Sequence, residues 1–587
     1  MFQRNVSLPA AIALSLLVGI GPADVRAATT GPEGVPGFQP DRVVEGFERG
    51  STVAGRFLAA RHAEAVGDLV AAADLTAGII SDVPDYGTIR RRAHLLMVGA
   101  GRLEKASELA EDVLASNETD PLAIYTLYVA ALRDDRFEDA AALLVDVPDS
   151  GVNAILVPLL DAWAQAGAGR HGEAFDGLAE LADSQGLGPI TGLHQALIAD
   201  LGGDAVRADA AFARALEASG GQPSLQLVDS FTRFLMREGR EEEAASLLGK
   251  FSAQNPDTLL IEPIRDVVEG DASPARSIAN PLDGAAEVFR NVSGLLNRER
   301  LRTEALMFVR LSLGLDPDNP TALFSLGQLL AARERSDLAI ETYREIGDDT
   351  PYHWYARLSI ADALHTEEQA DAAIEILEAM VQERTERSDA VRALADVLRI
   401  EKRFEEAIEV YDLAFEREGD AADWRLLYTR GIALERAKQW ERAERDFLKA
   451  LELEPDQPLV LNYLGYSWVE QGEQLERAKE MIETAVARRP NDGYITDSLG
   501  WVLYRLGDFE GAVVHLERAV LLEPGDPVIN DHLGDAYWLV GRKLEARFQW
   551  ERALTLDPDP EVEAEIRKKL AGEKFPEPQP PGTNRDI

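Results

Sequence analysis

His532 has Asp531 beside it and Asp535 three residues further on. An imidazole between two carboxylates could hold a metal ion or work as an acid–base pair. The plainer reading puts His532 at a helix interface, with both aspartates facing water. Residues 186–192 read GLGPITG, a little like a dinucleotide-binding loop, but the glycine spacing is off by one and no strand precedes it. The acidic pairs Asp134–Asp135 and Asp348–Asp349 fall at predicted turns, where solvated carboxylates are ordinary. The sequence holds no HExxH, no GxxxxGK followed by Ser or Thr, and no GxSxG. Nor does it hold a cysteine, which excludes disulfides, thiol catalysis and Cys-based metal sites. No catalytic residue, cofactor or metal is expected, and the chain reads as a non-enzyme.

Charge narrows the field further. The 587 residues include 103 acidic and 60 basic side chains, for a formal net charge of −43. A nucleic-acid binder needs a basic face to neutralise phosphates, and an anionic lipid surface would repel such a chain. With 46% hydrophobic and 28% charged residues, the balance is that of an ordinary folded protein.

The elements that would position these side chains repeat. Residues 461–468 read LNYLGYSW, residues 495–504 ITDSLGWVLY, and residues 529–538 INDHLGDAYW. Their glycines, Gly465, Gly500 and Gly534, stand 35 and 34 residues apart. An alanine follows each (Ala478, Ala512, Ala546), then a large side chain (Ile482, Leu516, Trp550), then a proline (Pro490, Pro524, Pro558). Gly431, Ala443, Phe447 and Pro455 form the same series one unit earlier. Each unit is expected to be two antiparallel helices, A and B. The small Gly and Ala let their axes approach, the large residue plugs the space against the next unit, and the proline ends helix B.

This pattern resembles the tetratricopeptide repeat, whose 34-residue unit carries Leu-Gly, Tyr, Ala, Phe and Pro at fixed offsets. The resemblance implies an all-α, right-handed superhelix, an α-solenoid of stacked helix–turn–helix units. Weaker units continue upstream, with Ala395, Ala361, Gly327 and Ser293 in the glycine position and Ala407, Ala373, Ala339 and Ala305 on helix B. That makes eight units in one frame. A more degenerate array of six is marked by Ala72, Ala106, Ala140, Ala174, Ala208 and Ala244. The expected organisation is a signal peptide over 1–27, a flexible leader over 28–50 and an N-terminal array over 51–250. A Pro-containing linker follows at 251–284, then a C-terminal array with a capping helix at 285–571 and a disordered Pro-rich tail at 572–587.

The signal peptide is read from Arg4, an apolar run over 6–20, and the small-residue pattern of Val25-Arg26-Ala27. That run of about 15 residues is short of the roughly 20 needed to span a bilayer. The chain is therefore expected to be exported, and periplasmic in a Gram-negative cell, with no transmembrane segment in the mature chain.

In this architecture the A helices line the concave wall. Counting the glycine as position 8, positions 2, 5, 9 and 12 face the groove. From the last four units that gives Tyr428, then Asn462 and Tyr466, then Tyr494, Asp497, Trp501 and Tyr504, then Asp531, Asp535 and Trp538. Trp501 and Tyr504 are expected to be accessible and Trp550 to be core. Aromatic rings among carboxylates and amides suit an extended peptide or a partner's helix. Chaperone-docking members of the family use a clamp of Lys, Asn and Arg; the comparable positions here hold Tyr494, Asp497, Val528 and Asp531. An acidic peptide is thus not the expected ligand, and an acidic groove would meet basic partners.

Residues 461–550 look like those of large exported bacterial tetratricopeptide proteins. That group includes an outer-membrane adaptor lipoprotein of a carboxyl-terminal processing protease, which also captures cell-wall hydrolases. The resemblance implies a non-catalytic adaptor whose protein partners are a periplasmic protease or a cell-wall hydrolase. The chain departs from that adaptor in lacking a cysteine for a lipid anchor. The alternative is a general scaffold in envelope biogenesis or export.

Overall fold

Asp492 opens the helix Gly493–Leu506 by accepting a hydrogen bond from the Ile495 amide at 3.1 Å, and Gly507, at φ 86°, ends it. Asp508 then caps Phe509–Leu522 through the Gly511 amide at 2.9 Å, and that helix buries Ala512, Leu516 and Ala519 on one face. Cap, left-handed turn residue and apolar stripe thus fold one hairpin from local signals. The plan repeats through a computed structural model that describes residues 52–573, apart from 83–86, 117–118, 183, 185 and 257. The expected signal peptide, leader and all but the first two residues of the tail lie outside the described residues. The described chain is all-α, an α-solenoid of A–B hairpins with no strand.

A left-handed residue stands at each A-to-B turn. The series runs Gly67, Gly101, Asp135, Gly169, Gly203 and Gly239, then Arg300, Glu334, Glu368, Lys402, Lys438, Gly472, Gly507 and Gly541. Within each array the steps are 34 to 36 residues, whether or not the residue is glycine.

The chain divides into two units at Gln369/Ala370. In the first unit the A helices of the N-terminal array include Gly87–Gly99, Pro121–Arg133 and Asn153–Gly167. Residues 251–284 carry a short 3-10 turn, Leu259–Ile261, and the helix Glu262–Glu269. The chain then turns back. Arg276 donates to the Asp200 carbonyl at 3.1 Å, and helix Pro281–Arg298 packs on Asn153–Gly167, where Gly284 lies flat on the Trp163 ring. Helix Arg302–Leu315 crosses Gly87–Gly99 and Pro121–Arg133, and Arg310 donates to the Gly99 carbonyl at 3.2 Å. Arg335 reaches the Gly67 carbonyl at 2.9 Å. Phe289 and Phe308 meet Tyr125 and Tyr128 at ring separations of 6.0 to 6.3 Å. The A-helix face of the first array is therefore filled by residues 276–335 of the same chain.

The second unit stacks hairpins in simple order. Ala443, Ala478, Ala512 and Ala546 are fully buried, as are Phe447, Ile482, Leu516 and Trp550. The large side chains do two jobs rather than the one expected. Phe447 fills the space over its own unit's Gly431 and also meets Tyr463 of the next unit at 5.2 Å.

Candidate functional site

The A helices of the second unit that carry the expected groove are Trp424–Arg436, Pro458–Gln471, Gly493–Leu506 and Pro527–Leu539. Tyr428 is half-buried and packs edge-on against Tyr463 at 5.9 Å. Asn462 is half-buried, and its Oδ1 is buried with no hydrogen-bond donor among the described residues. Tyr466 is half-buried; burial and the nearby carboxylates of Glu470 and Asp497 push its hydroxyl pKa well up. Tyr494 is 57% exposed.

The middle of the groove is a ring stack. Trp501 lies nearly parallel to Tyr504 at 4.7 Å and to His532 at 4.0 Å. Its indole N–H donates to Glu470 Oε1 at 2.6 Å. Tyr504 also meets Phe509 edge-on at 5.6 Å. The expectation that both rings are accessible is corrected for Tyr504, which is 7% exposed because Trp501 and Phe509 cover it; Trp501 is half-buried. His532 does sit at a repeat interface, donating from Nδ1 to Asp497 at 3.0 Å. Burial opposes its charge, but Asp497, with Asp531 and Glu470, raises its pKa to about 9, so the ring is an imidazolium at neutral pH.

The two aspartates near His532 were expected to face solvent, and the structure corrects this. Asp535 is buried and Asp531 nearly so, because Lys569 from the last described helix, Pro560–Ala571, enters between them. The ammonium stands 2.7 Å from Asp531 Oδ1 and 2.8 Å from Asp535 Oδ2. The Trp550 indole also donates to Asp535 Oδ1 at 3.0 Å. Burial and the neighbouring Asp531 carboxylate raise the Asp535 pKa to about 6, against the pull of Lys569. Trp538 is half-buried, tilted against Trp550 at 5.5 Å, with Lys543 Nζ 4.7 Å from its ring centre.

The groove is consequently not the open acidic surface that its sequence suggests. Asp497 is matched by His532, and Asp531 and Asp535 by Lys569. Among the described residues no group of His, Asp and Glu could hold a metal ion, and no helix is long and apolar enough to cross a membrane. Lys569 lies in the expected capping helix, where nothing local marks it as a partner for this site; its spacing of 34 residues from Asp535 is the available signal.

Family models described as tetratricopeptide repeats match residues 364–431, 424–457, 308–353, 470–527 and 498–561. The chain thus carries tetratricopeptide repeats, units that bind protein partners or peptides and are typically non-catalytic. The TPR repeat-containing protein PA4667 of Pseudomonas aeruginosa is 35% identical over 94 residues, which is 16% of this chain and 16% of that protein's length. The Cut9–Hcn1 heterotetramer of the APC/C aligns over 89% of this chain and 91% of that chain, at 15% identity and a TM-score of 0.35. MamA from Desulfovibrio magneticus RS-1, residue 41 to the end, aligns over 29% of this chain and 94% of that chain, at 23% identity and a TM-score of 0.26. YrrB, a TPR protein with an unusual peptide-binding site, aligns over 33% and 97%, at 21% identity and a TM-score of 0.26.

Proposed function

We propose that the chain is a non-catalytic scaffold or adaptor of the bacterial envelope. It binds an extended protein segment along the A helices from Tyr428 to Trp538 and presents it to a periplasmic protease or cell-wall enzyme. One observation carries the binding role. Among the described residues the Asn462 Oδ1 acceptor is buried without a donor, on the face where Tyr494 stands exposed. A buried acceptor without a partner is costly, and a turn of the Asn462 amide into the groove would let it accept from a peptide N–H laid there. The equivalent face of the first array is already filled by residues 276–335, so the second unit is the place for a partner. The envelope location rests on the signal-peptide reading, and the protease role on the similarity of residues 461–550 to exported adaptors.

The test is a crosslinked pull-down of the tagged chain from its own cell envelope, read by mass spectrometry, beside the Asn462→Ala/Tyr494→Ala variant. A protease or cell-wall hydrolase that is recovered with the parent chain and lost with the variant supports the adaptor. Export or assembly machinery in its place would move the function to a general scaffold. Recovery of cytosolic proteins alone would overturn the location.

A further inference from the structure

Asp531 and Asp535 lie one helical turn apart on the A helix Pro527–Leu539, at the two central groove positions of the last repeat. In the preceding repeat the corresponding carboxylate, Asp497, is satisfied by His532 from the following A helix. Among the described residues, the helix after Lys543–Leu554 is Pro560–Ala571, and it takes that part for Asp531 and Asp535. Lys569 supplies the missing cation from the terminal helix. All four carboxylate oxygens lie within 2.8 Å of its Nζ, and the Trp550 ring centre is 5.8 Å away. Two carboxylates and an indole around one ammonium make a lysine-selective receptor: a guanidinium is broader and planar, whereas a compact ammonium can be shared between two acids.

The helix that delivers Lys569 is lightly held. Pro560–Ala571 buries only Ile566 and Lys569, and Arg547 adds one hydrogen bond, to the Leu570 carbonyl at 3.1 Å. The neighbouring Pro527–Leu539 buries eight residues, from Ile529 to Tyr537. A buried ion pair gains little net stability once its desolvation cost is counted. The polar anchor of the terminal helix is therefore one that another ammonium could replace, leaving the burial of Ile566 as the main apolar contact to be given up.

We propose that Asp531 and Asp535 form a lysine-binding site held shut by the chain's own Lys569, and that a lysine-bearing segment of a partner protein displaces the terminal helix to occupy it. This rests on the groove reading above only in using the same face. A built-in competitor lowers apparent affinity by the fraction of molecules in which the helix is open. Removing the competitor must raise affinity, where removing a merely structural lysine would lower it.

The test uses the full chain and an amino-terminally labelled pentalysine peptide, with binding read by fluorescence anisotropy. Lys569→Ala should bind at least tenfold more tightly than the parent. Adding Asp531→Asn and Asp535→Asn to that variant should abolish the gain. General attraction of a basic peptide to a chain of net charge −43 would survive the loss of two carboxylates, so the triple variant isolates the site. Equal binding by parent and Lys569→Ala, or a gain that persists in the triple variant, would overturn the proposal. Should Lys569→Ala melt the last repeat, hydrogen exchange on the unaltered chain decides. Amides of 561–571 should exchange at least 100-fold faster than those of 529–539, and faster still under saturating pentalysine; matched protection, unchanged by peptide, would sink the idea. Neither readout depends on which envelope protein the pull-down recovers, so this proposal and the adaptor reading can fail separately.

Discussion

The imidazole of His532 donates to the Asp497 carboxylate of the preceding repeat at 3.0 Å, both groups buried. Two adjacent hairpins are thus tied by a charge pair inside the groove. A buried carboxylate left without its cation costs about 3–5 kcal/mol.

That pair has a definite pH signature. The folded-state pKa of His532 is raised to about 9 from an ordinary 6.5, net of the burial that opposes it. Its contribution is fully present below pH 6.5 and is lost as pH rises through 9, and it amounts to about 3 kcal/mol. Urea unfolding should therefore weaken between pH 7 and pH 9.5 in the parent chain. Asp497→Asn should start weaker at pH 7 and show little further alkaline loss. Parallel pH profiles for the two proteins would show that the pair is not the source.

The first unit should fail at the other end of the scale. His94 is buried against Thr126 Oγ1 at 3.0 Å, and burial holds its pKa at about 4. His194 accepts the Trp163 indole N–H at 3.0 Å and is held at about 3 by burial and by nearby Arg290. Both are neutral in the folded chain and take up a proton on unfolding below pH 6.5, so stability falls as pH falls from 6.5 towards 4. The penalty from His94 alone reaches about 3 kcal/mol at pH 4. Hydrogen-exchange mass spectrometry corrected for intrinsic rates should show peptides from 87–99 and 188–201 losing protection before those from 527–539.

The steric beat of the repeat was legible because it dictates residue size. Gly534 faces Trp550 so closely that any Cβ would overlap the indole. A small residue stands on helix A where a large one sits 16 or 17 positions later, as at Gly431, Gly465, Gly500 and Gly534. The left-handed turn was only half legible: Gly67, Gly101, Gly169 and Gly203 keep the period, but Asp135 interrupts it in composition while obeying it in φ. The filled first array was not legible at all. Arg335 on Gly67 and Arg310 on Gly99 pair positions more than 200 residues apart, and no local period encodes such a register. The charges of the groove were legible as types and misread as exposed, because their partners arrive one repeat later.

Lys438 holds φ 60° at a turn where Gly507 and Gly541 serve elsewhere. A side chain in the left-handed region costs about 1–2 kcal/mol, and glycine gives back part of that through its freer unfolded state. Lys438→Gly should raise the urea midpoint by the equivalent of about 0.5–1 kcal/mol. The same change at Lys449, within the helix Trp440–Leu453, should lower it by about 1 kcal/mol. A loss at both positions would mean that the Lys438 side chain has a packing role that outweighs its backbone strain.

Gly284 governs the return of the chain across the first array. A Cβ there would overlap the indole of Trp163, which is fully buried and cannot swing away without breaking its hydrogen bond to His194. Gly284→Ala normally gains helix propensity, about 1 kcal/mol in its favour. Overpacking costs about 1–3 kcal/mol, and a released His194 Nδ1 adds the cost of an unpaired buried acceptor. The balance predicts a net loss of about 1–3 kcal/mol, measured by urea unfolding of the full chain. Trp163→Ala removes the clash and the indole donor together, so the double variant Gly284→Ala/Trp163→Ala should be less destabilised than the two single changes added. Additive losses would place the obstruction elsewhere on helix Pro281–Arg298, whereas a positive coupling identifies Gly284 on Trp163 as the contact that lets this helix close against the array.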